Sequence, residues 1–211
     1  MEKPPFDVAH FLEELRSIAQ LGLNYTHDPY DRKRYGRLLE LAAMEYANLS
    51  GLPANTIIER LQNELGHVTP KIGVDSAVFD RQGRLLLIKR HDDRLWSLPC
   101  GWVEVNETPQ EAIKRELFEE TGLVVTVGSL IDLFVRLPGT YGQLHTSCHP
   151  MYHCIPVDGE ARVSEEALEV GYFDIEAIHK WHKDHQNRAV VALRFWRDKI
   201  CNGDSSIEGE I

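Results

Sequence analysis

The sequence predicts an α/β domain preceded by a small helical unit, and three observations lead to this prediction. Apolar residues between positions 6 and 66 recur at the three- and four-residue spacing of helices. From residue 72 onward, short apolar runs typical of β-strands replace them. Among these runs, residues 109–121 predict an acidic helix that begins at Pro109 and stops before Gly122. A length of 211 residues fits one domain of ordinary size and a smaller second one.

Three helices are predicted in the first 66 residues. Asp28 and Pro29 mark the start of the second helix, and the segment 51–53 separates it from the third. The apolar residues at helical spacing are Val8, Phe11, Leu12, Leu15 and Ile18, then Leu38, Leu39, Ala42, Tyr46 and Leu49, then Ile57, Ile58, Leu61 and Leu65. Three helices in about 60 residues form a thin core, so we expect another surface to cover them. We therefore predict a helical domain over 1–66 and a second domain over 67–211.

The second domain is predicted to alternate strands and helices. The expected strands are 74–78, 85–88, 123–135 and 149–156, and the expected closing helices are 175–183 and 188–200. Asp80 to Gly83 predicts a hairpin turn that joins the first two strands. The polar tail from residue 201 is expected to fray.

Composition excludes several classes of function. No apolar run reaches 18 residues, so no transmembrane helix is predicted, and the first residues do not resemble a secretory signal. Four cysteines without a Cys-x-x-Cys pair favour reduced thiols and a cytoplasmic location. The net charge of −10 argues against binding of extended nucleic acid. A polyanionic substrate stays open, because bound cations can reverse the local field.

Three carboxylates share one face of the predicted acidic helix. Glu116, Glu119 and Glu120 stand at i, i+3 and i+4. Glu120 falls within about 40° of the centre of the apolar side, which Ile113 and Leu117 mark. Carboxylates clustered at the edge of a core repel one another, so a positive charge must offset them. Oxygen ligands favour a hard divalent cation, with Mg²⁺ as the first candidate.

This region resembles the Nudix box, whose pattern is a glycine, five residues, a glutamate, seven residues and then Arg-Glu-aliphatic-x-Glu-Glu-x-Gly-aliphatic. All specified positions match, namely Gly101, Glu107, Arg115, Glu116, Leu117, Glu119, Glu120, Gly122 and Leu123. The resemblance implies an α/β/α sandwich around a mixed sheet. It also implies hydrolysis of a nucleoside diphosphate linked to another group, with Mg²⁺ or Mn²⁺ as cofactor. An ordinary acidic surface helix does not explain nine matches.

One residue beside the box departs from the family pattern. The segment before Gly101 is Leu-Pro-Cys-Gly, where the family usually has Leu-Pro-Gly-Gly, so Cys100 replaces a glycine. We expect the backbone of Cys100 to avoid the region of φ/ψ space that only glycine favours.

The N-terminal segment from Tyr25 to Tyr35 resembles the helical domain of one Nudix subgroup, the bacterial-type pyrophosphatases for CDP-choline, ADP-ribose and similar compounds. CDP-choline-like and ADP-ribose-like substrates are therefore expected. Because thin helical units are commonly covered by closed two-fold dimers, we also predict a homodimer through residues 6–66.

The resemblance and the helical spacing together imply a set of metal ligands. We expect Glu116, Glu119 and Glu120 to bind the metal through their carboxylates, and the Gly101 carbonyl to add a further oxygen. The role of Gly101 needs no side chain, which lets the backbone approach the ion closely.

Arg115 and two later glutamates are the further catalytic candidates. Arg115, four residues before Glu119 and eight after Glu107, is expected to orient carboxylates, with Glu107 supporting the ligands; a clamp on the substrate is the alternative. Glu166 and Glu169 are candidates for the general base, which some family members place in the box instead. A solvated acidic loop is the alternative interpretation of those two residues.

Three aromatic residues are candidates for substrate binding. Tyr25 and Tyr30 alternate with basic residues, and Trp102 follows the glycine of the box. A packed aromatic face with a solvated basic rim, or plain core packing for Trp102, would explain the same pattern. The histidines and cysteines between 145 and 154 match no common zinc signature, so ordinary strand polarity or a cleft-lining histidine is expected there.

Two other functions stay open from the sequence. The first is removal of pyrophosphate from RNA ends or oxidised nucleotides, against which the acidic balance weighs. The second is a nucleotide-binding regulator without catalysis, which would be expected to lack box glutamates, and none is missing here.

Overall fold

The computed structural model of the chain describes residues 7–64, 67–164 and 166–201. These residues form two compact units. The first unit combines the described residues up to Lys71 with Val135–Ser147, and the second combines Ile72–Phe134 with the described residues from Cys148 onward. The segment Val135–Ser147 joins the N-terminal helices although it lies in the middle of the chain. That 1–66 and 67–211 act as separate domains stays a prediction.

Three helices form the core of the first unit, at Val8–Tyr25 (α1), Pro29–Ser50 (α2) and Ala54–Gln62 (α3). The predicted start of α2 is confirmed, because the Asp28 carboxylate accepts hydrogen bonds from the backbone N–H groups of Tyr30 and Asp31. Their shared core consists of Leu12, Ala42, Ala43, Tyr46 and Ile57. The three predicted helices are thus confirmed, while Leu65 of the third apolar set lies outside the described residues.

Seven strands form two sheets in the described chain. They are Lys71–Val78 (β1), Leu85–Arg90 (β2), Trp96–Ser97 (β3), Cys100–Trp102 (β4), Val124–Arg136 (β5), Ser147–Asp158 (β6) and Ala167–Phe173 (β7). One sheet has the order β4-β1-β6-β5 and the other has the order β3-β2-β7. The strands predicted in the regions of β1, β2, β5 and β6 are confirmed.

The turn predicted between β1 and β2 is present. The Asp80 carbonyl accepts a hydrogen bond of 3.0 Å from Gly83 N, and Gly83 takes a left-handed φ of 79°. β1 and β2 belong to different sheets, and the residues beside the turn form an isolated antiparallel bridge between Phe79 and Leu85. Residues of these strands pack into two different hydrophobic clusters. The turn carries the chain from one sheet to the other.

Two long helices cover the sheets, Pro109–Thr121 (α4) and His185–Cys201 (α5). The predicted α4 is confirmed from its Thr108 capping box to the left-handed Gly122. The cluster on the α4 side contains Val74, Val78, Leu86, Ile113 and Leu117, and the cluster on the α5 side contains Ala77, Leu85, Leu87, Met151, Ala189 and Ala192. Because strand residues alternate between the two clusters, the sheets lie between helices, and the predicted α/β fold is confirmed.

The predicted helix at 175–183 is wrong. A single 3-10 turn at Ile175–Ala177 is followed by extended chain. That chain pairs with β3, because Trp96 N donates to the Lys180 carbonyl at 3.0 Å and His182 N donates to the Trp96 carbonyl at 2.8 Å. Backbone groups that bond to a neighbouring strand are unavailable for a helix. Among the described helices, none has both the length and the apolar character needed to cross a membrane.

Candidate active site

The first residues of β4, directly after the short loop from β3, meet two carboxylates of α4. Glu120 is only 4% exposed, and its Oε2 atom accepts a hydrogen bond of 2.9 Å from Cys100 N. Glu116 lies against the next residue, because a Cβ built on Gly101 would stand 1.9 Å from the Glu116 Oε1 atom. Gly101 is therefore required here for close approach and not for a positive φ. The structure thus brings Glu116, Glu120 and Gly101 together.

Burial in this site disfavours the negative charge of the Glu116 and Glu120 carboxylates. Burial raises the pKa of Glu120 well above its usual range, and the charges of Glu116 and Glu166 act in the same direction. Burial also raises the pKa of Glu116, against the opposing effect of Arg115. Carboxylates of this kind need a cation or a proton to lie side by side. The donor set of carboxylates and a carbonyl is the one that hard divalent cations prefer.

Arg115 is the centre of a hydrogen-bond network around these carboxylates. Its Nε and Nη2 atoms donate to the two Glu107 oxygens at 2.9 and 3.0 Å. Its Nη1 atom donates to Glu116 at 2.8 Å and to Glu119 at 3.1 Å, and its Nη2 atom also donates to the Trp102 carbonyl at 3.0 Å. A guanidinium has five N–H groups, and these five contacts occupy all of them. This geometry suits an orienting residue and leaves no donor for a phosphate.

The predicted metal ligands Glu116 and Glu119, and the supporting residue Glu107, differ in how far their side chains are exposed. Glu119 keeps 56% of its side chain exposed, whereas the side chains of Glu116 and Glu107 are each 14% exposed. The hydrogen bonds from Arg115 hold the pKa of Glu107 below its usual range, so Glu107 stays ionised and keeps Arg115 in place.

The two candidates for the general base are separated by the structure. A cavity of about 250 Å³ is lined by Ile88, Arg90, His91, Asp92, Glu120 and Glu166. Glu166 therefore shares a space with a buried box glutamate. Glu169 does not line this cavity and lies on β7, where its Oε2 atom is 3.7 Å from Lys89 Nζ. The acidic loop considered from the sequence is, from Ala167 on, a strand paired with β2.

Arg90 is a site residue that sequence reasoning missed. Its Nε and Nη2 atoms donate to the two Asp92 oxygens at 2.9 and 2.8 Å, and its charge partly offsets that of Glu120. The only signal in the sequence is its position at the end of the apolar run of β2, beside a connecting loop, where binding and catalytic residues are commonly found.

The three aromatic candidates lie in different units. Trp102 directly follows Gly101, is 49% exposed, and its ring centroid lies 5.7 Å from that of His149. Tyr25 and Tyr30 belong to the helical unit and are exposed, and the Tyr25 hydroxyl lies 3.0 Å from His67 Nε2. The role of all three in substrate binding stays a prediction.

A second group of metal-ligand residue types lies beside the same loop. Single atoms of Asp75, Cys100 and His185 come within 4.8 Å of one another. The fully buried Arg188 forms an ion pair with Asp75, and His185 Nδ1 accepts a hydrogen bond from Leu98 N at 3.3 Å. Because a buried guanidinium already supplies the positive charge, this group does not fit a divalent cation. The α4 carboxylates with Gly101 fit one.

Comparison with known proteins identifies the family. Residues 69–193 match the family model described as NUDIX domain. The chain belongs to the Nudix hydrolase family. Residues 7–61 match a second model, described as UDP-X-like, N-terminal oligomerisation domain. The resemblance noted in the sequence is confirmed for both parts of this Nudix hydrolase, and family members act on pyrophosphate bonds, generally with a divalent metal.

Individual relatives agree with this assignment. The Nudix hydrolase is 33% identical over 170 residues to the Bacillus subtilis protein named "Putative ADP-ribose pyrophosphatase YjhB", covering 76% of this chain and 77% of that one. It is 32% identical over 135 residues to the Methanocaldococcus jannaschii ADP-ribose pyrophosphatase, covering 63% and 78%. A solved UDP-X diphosphatase has a similar fold, with a TM-score of 0.56 and 23% identity over 92% of this chain and 97% of that one.

Proposed function

We propose that this Nudix hydrolase cleaves the diphosphate of a nucleoside diphosphate derivative, with ADP-ribose-like compounds as the leading substrates. The observation that carries the proposal is a pair of carboxylates, the half-buried Glu116 and the buried Glu120, against the backbone of Cys100 and Gly101. The names of two relatives support ADP-ribose. CDP-choline-like and UDP-linked compounds are the next candidates, because the N-terminal resemblance and the similar solved structure suggest them.

Glu116, Glu119, Glu120 and the Gly101 carbonyl would hold Mg²⁺ or Mn²⁺. A bound divalent cation would offset the charge of the diphosphate and make a water molecule more acidic. The protein's own part is to fix the ligands, and Arg115 does this through its contacts with Glu116 and Glu119.

Proton transfer is assigned to Glu166 in this proposal. A general base must lie within about 3 Å of the proton that it removes in the reactive complex. Glu166 lines the same cavity as Glu120, which supports it over Glu169. Arg90 lines that cavity too, and its pairing with Asp92 fixes a cation where a phosphate would approach.

The other functions are less well supported. The net charge of −10 weighs against extended RNA as substrate. A regulator without catalysis does not require Arg115 to orient the box carboxylates, whereas four of its five N–H contacts here are to Glu107, Glu116 and Glu119.

The test is a substrate panel with purified protein and Mg²⁺ or Mn²⁺. The panel contains ADP-ribose, CDP-choline, UDP-glucose, an oxidised nucleoside triphosphate and a 5′-triphosphorylated RNA, each followed by product release. We expect turnover of at least one nucleoside diphosphate derivative that is abolished by a chelator. Turnover confined to the RNA or the triphosphate would replace this proposal with that alternative, and binding without turnover would favour a regulator.

We further propose that the protein is a homodimer in which residues 6–66 supply much of the interface. Six apolar side chains of α1 and α2 are exposed, namely Val8, Phe11, Ile18, Leu41, Met44 and Leu49. The family model that matches residues 7–61 is described as an oligomerisation domain, which supports an association surface on these helices. A charge placed there should block association, so Phe11→Glu is expected to be monomeric by light scattering. The control Val157→Glu alters a residue that is 56% exposed in the other unit and should leave the oligomer intact. An unaltered oligomer in Phe11→Glu contradicts the assigned face.

A further inference from the structure

Residues 98–101, the loop after β3 with the first two residues of β4, are held on both sides by hydrogen bonds and are called the 98–101 loop below. On one side Cys100 N donates to Glu120 on α4 at 2.9 Å. On the other side Leu98 N donates to His185 Nδ1 at the start of α5 at 3.3 Å. Between these two contacts, the Pro99 carbonyl accepts from Ser76 N of β1 at 2.9 Å. The loop that carries the proposed carbonyl ligand is therefore hydrogen-bonded to both α4 and α5.

His185 is placed firmly enough to fix the loop. Its side chain is 1% exposed, and Leu98 is fully buried, so the Leu98 N–H group cannot turn to water if His185 is lost. Three residues further along α5, the fully buried Arg188 pairs with Asp75 and donates to Asp184 Oδ2 at 2.9 Å. These contacts anchor the first turn of α5 to β1, directly opposite Cys100 in the strand register.

We propose that His185 is a positioning residue for the metal-binding loop. Its Nδ1 atom holds Leu98, and through Leu98 it sets where the Cys100 N–H group meets Glu120 and where the Gly101 backbone meets Glu116. This inference rests on the proposed function, because it assumes that the loop and α4 together hold a divalent cation. Partners that orient the ligands of a metal commonly change its affinity 10- to 100-fold when they are removed.

Two substitutions at residue 185 separate hydrogen bonding from packing. His185→Leu keeps most of the side-chain volume and removes the acceptor. His185→Asn leaves a small cavity but retains an oxygen close to the position of Nδ1. A role in packing predicts that Leu is the better replacement, whereas a role in positioning predicts that Asn is. His153→Leu is the control, because His153 is a buried histidine that packs between Phe79 and Phe195.

The first measurement is Mn²⁺ binding to the full-length protein without substrate, followed by electron paramagnetic resonance. We expect His185→Leu to weaken Mn²⁺ binding by about 10-fold or more, and His185→Asn to stay within about 3-fold of wild type. His153→Leu should leave binding unchanged. Equal Mn²⁺ affinity in wild type and His185→Leu, or weaker binding by Asn than by Leu, overturns the proposal.

The second measurement needs neither metal nor activity. NMR of the metal-free wild-type protein should find the His185 proton on Nε2, with Nδ1 as acceptor, and slow hydrogen exchange at Leu98 N–H. In His185→Leu the exchange at Leu98 and Cys100 should become faster, and in His185→Asn it should stay slow. A proton on Nδ1, or fast exchange at Leu98 in wild type, overturns the proposal even if His185→Leu does not fold. If the wild-type protein binds no Mn²⁺ while these amides behave as expected, the proposed function fails and the loop contact stands.

Discussion

Two charged clusters flank the 98–101 loop, and they differ in how their charge is balanced. On the α5 side, Asp75 is fully buried and meets the fully buried guanidinium of Arg188. On the α4 side, Glu120 is almost as buried, but its neighbours Glu116 and Glu166 carry the same charge, which Arg90 offsets only in part. A buried carboxylate with an internal cation is part of the scaffold, whereas one among other carboxylates needs a cation from solution. Burial alone does not distinguish the two.

The largest expected effect comes from the unbalanced side. Glu120→Gln should keep the fold and lower turnover about 100-fold or more, because a neutral amide is a poor ligand for a hard cation. Glu176→Gln, an exposed glutamate far along the sequence, is the control and should be unchanged. The measurement is kcat at saturating Mg²⁺ with circular dichroism to verify folding. Near-wild-type turnover in folded Glu120→Gln would remove Glu120 from the site.

The next effect separates the two candidates for the base. Glu166→Gln should lower kcat by about 100-fold with Mn²⁺ affinity unchanged, because proton transfer typically contributes 10²- to 10⁴-fold. Glu169→Gln is the matched control, because Glu169 pairs with Lys89 on the exposed part of β7. It should retain turnover within about 3-fold, since exposed ion pairs are worth little. Full activity in both variants would return the base to the box.

The sequence predicted the α4 side well, because its signals are local. The Thr108 cap, the Gly122 stop and the spacing of the glutamates all lie within one helix, and periodicity places them on one face. The α5 side gave no such signal. Asp75 and Arg188 are 113 residues apart, and no helical or strand period relates them.

The sequence did not predict very short strands or features that depend on contacts between distant residues. β3 and β4 have two and three residues, too few for a pattern to emerge. The extended chain before α5 follows from pairing with Trp96, which overrides the local preference for a helix. That Arg115 has no N–H left for a substrate could be counted only from three-dimensional contacts.

A third prediction compares the same chemical change in the two clusters. Asp75→Asn should lower the free energy of unfolding by about 3–5 kcal/mol, because it removes the fully buried charged partner of Arg188 and leaves the more exposed Asp184 to pair with it. Glu120→Gln should leave the stability of the metal-free protein unchanged or raise it, because it removes repulsion from Glu116 and Glu166. Urea unfolding in the presence of a chelator measures both. Equal destabilisation by the two changes would show that the clusters are balanced alike.

The pH dependence of metal binding gives a fourth, smaller effect. Because burial raises the pKa of Glu120 in the folded protein, its ionised form disfavours folding, and its contribution to stability falls as pH rises from about 4.5 through the raised pKa. A cation needs the ionised form, so binding should release protons, and Mn²⁺ affinity should rise with pH over the same window. Calorimetry in two buffers of different ionisation enthalpy measures this release. Glu120→Gln should reduce it, and an unchanged release would assign the protons to other groups.

The smallest expected effect lies at the residue between the two clusters. Cys100 has no positive φ, so a glycine is not required by the backbone, and Cys100→Gly should cost only about 1 kcal/mol through the added freedom of the unfolded chain. The contact with Glu120 is made by the backbone N–H of Cys100 and survives the change, so turnover should stay within about 3-fold. Burial raises the pKa of the Cys100 thiol, and nearby Glu120 and Asp75 act in the same direction, so iodoacetamide should modify it slowly at neutral pH. Thermal unfolding, kcat and mass spectrometry after alkylation test the three statements. A folded but inactive Cys100→Gly protein would show that the thiol itself acts in the site and that Cys100 belongs to the active site through its side chain as well as its backbone.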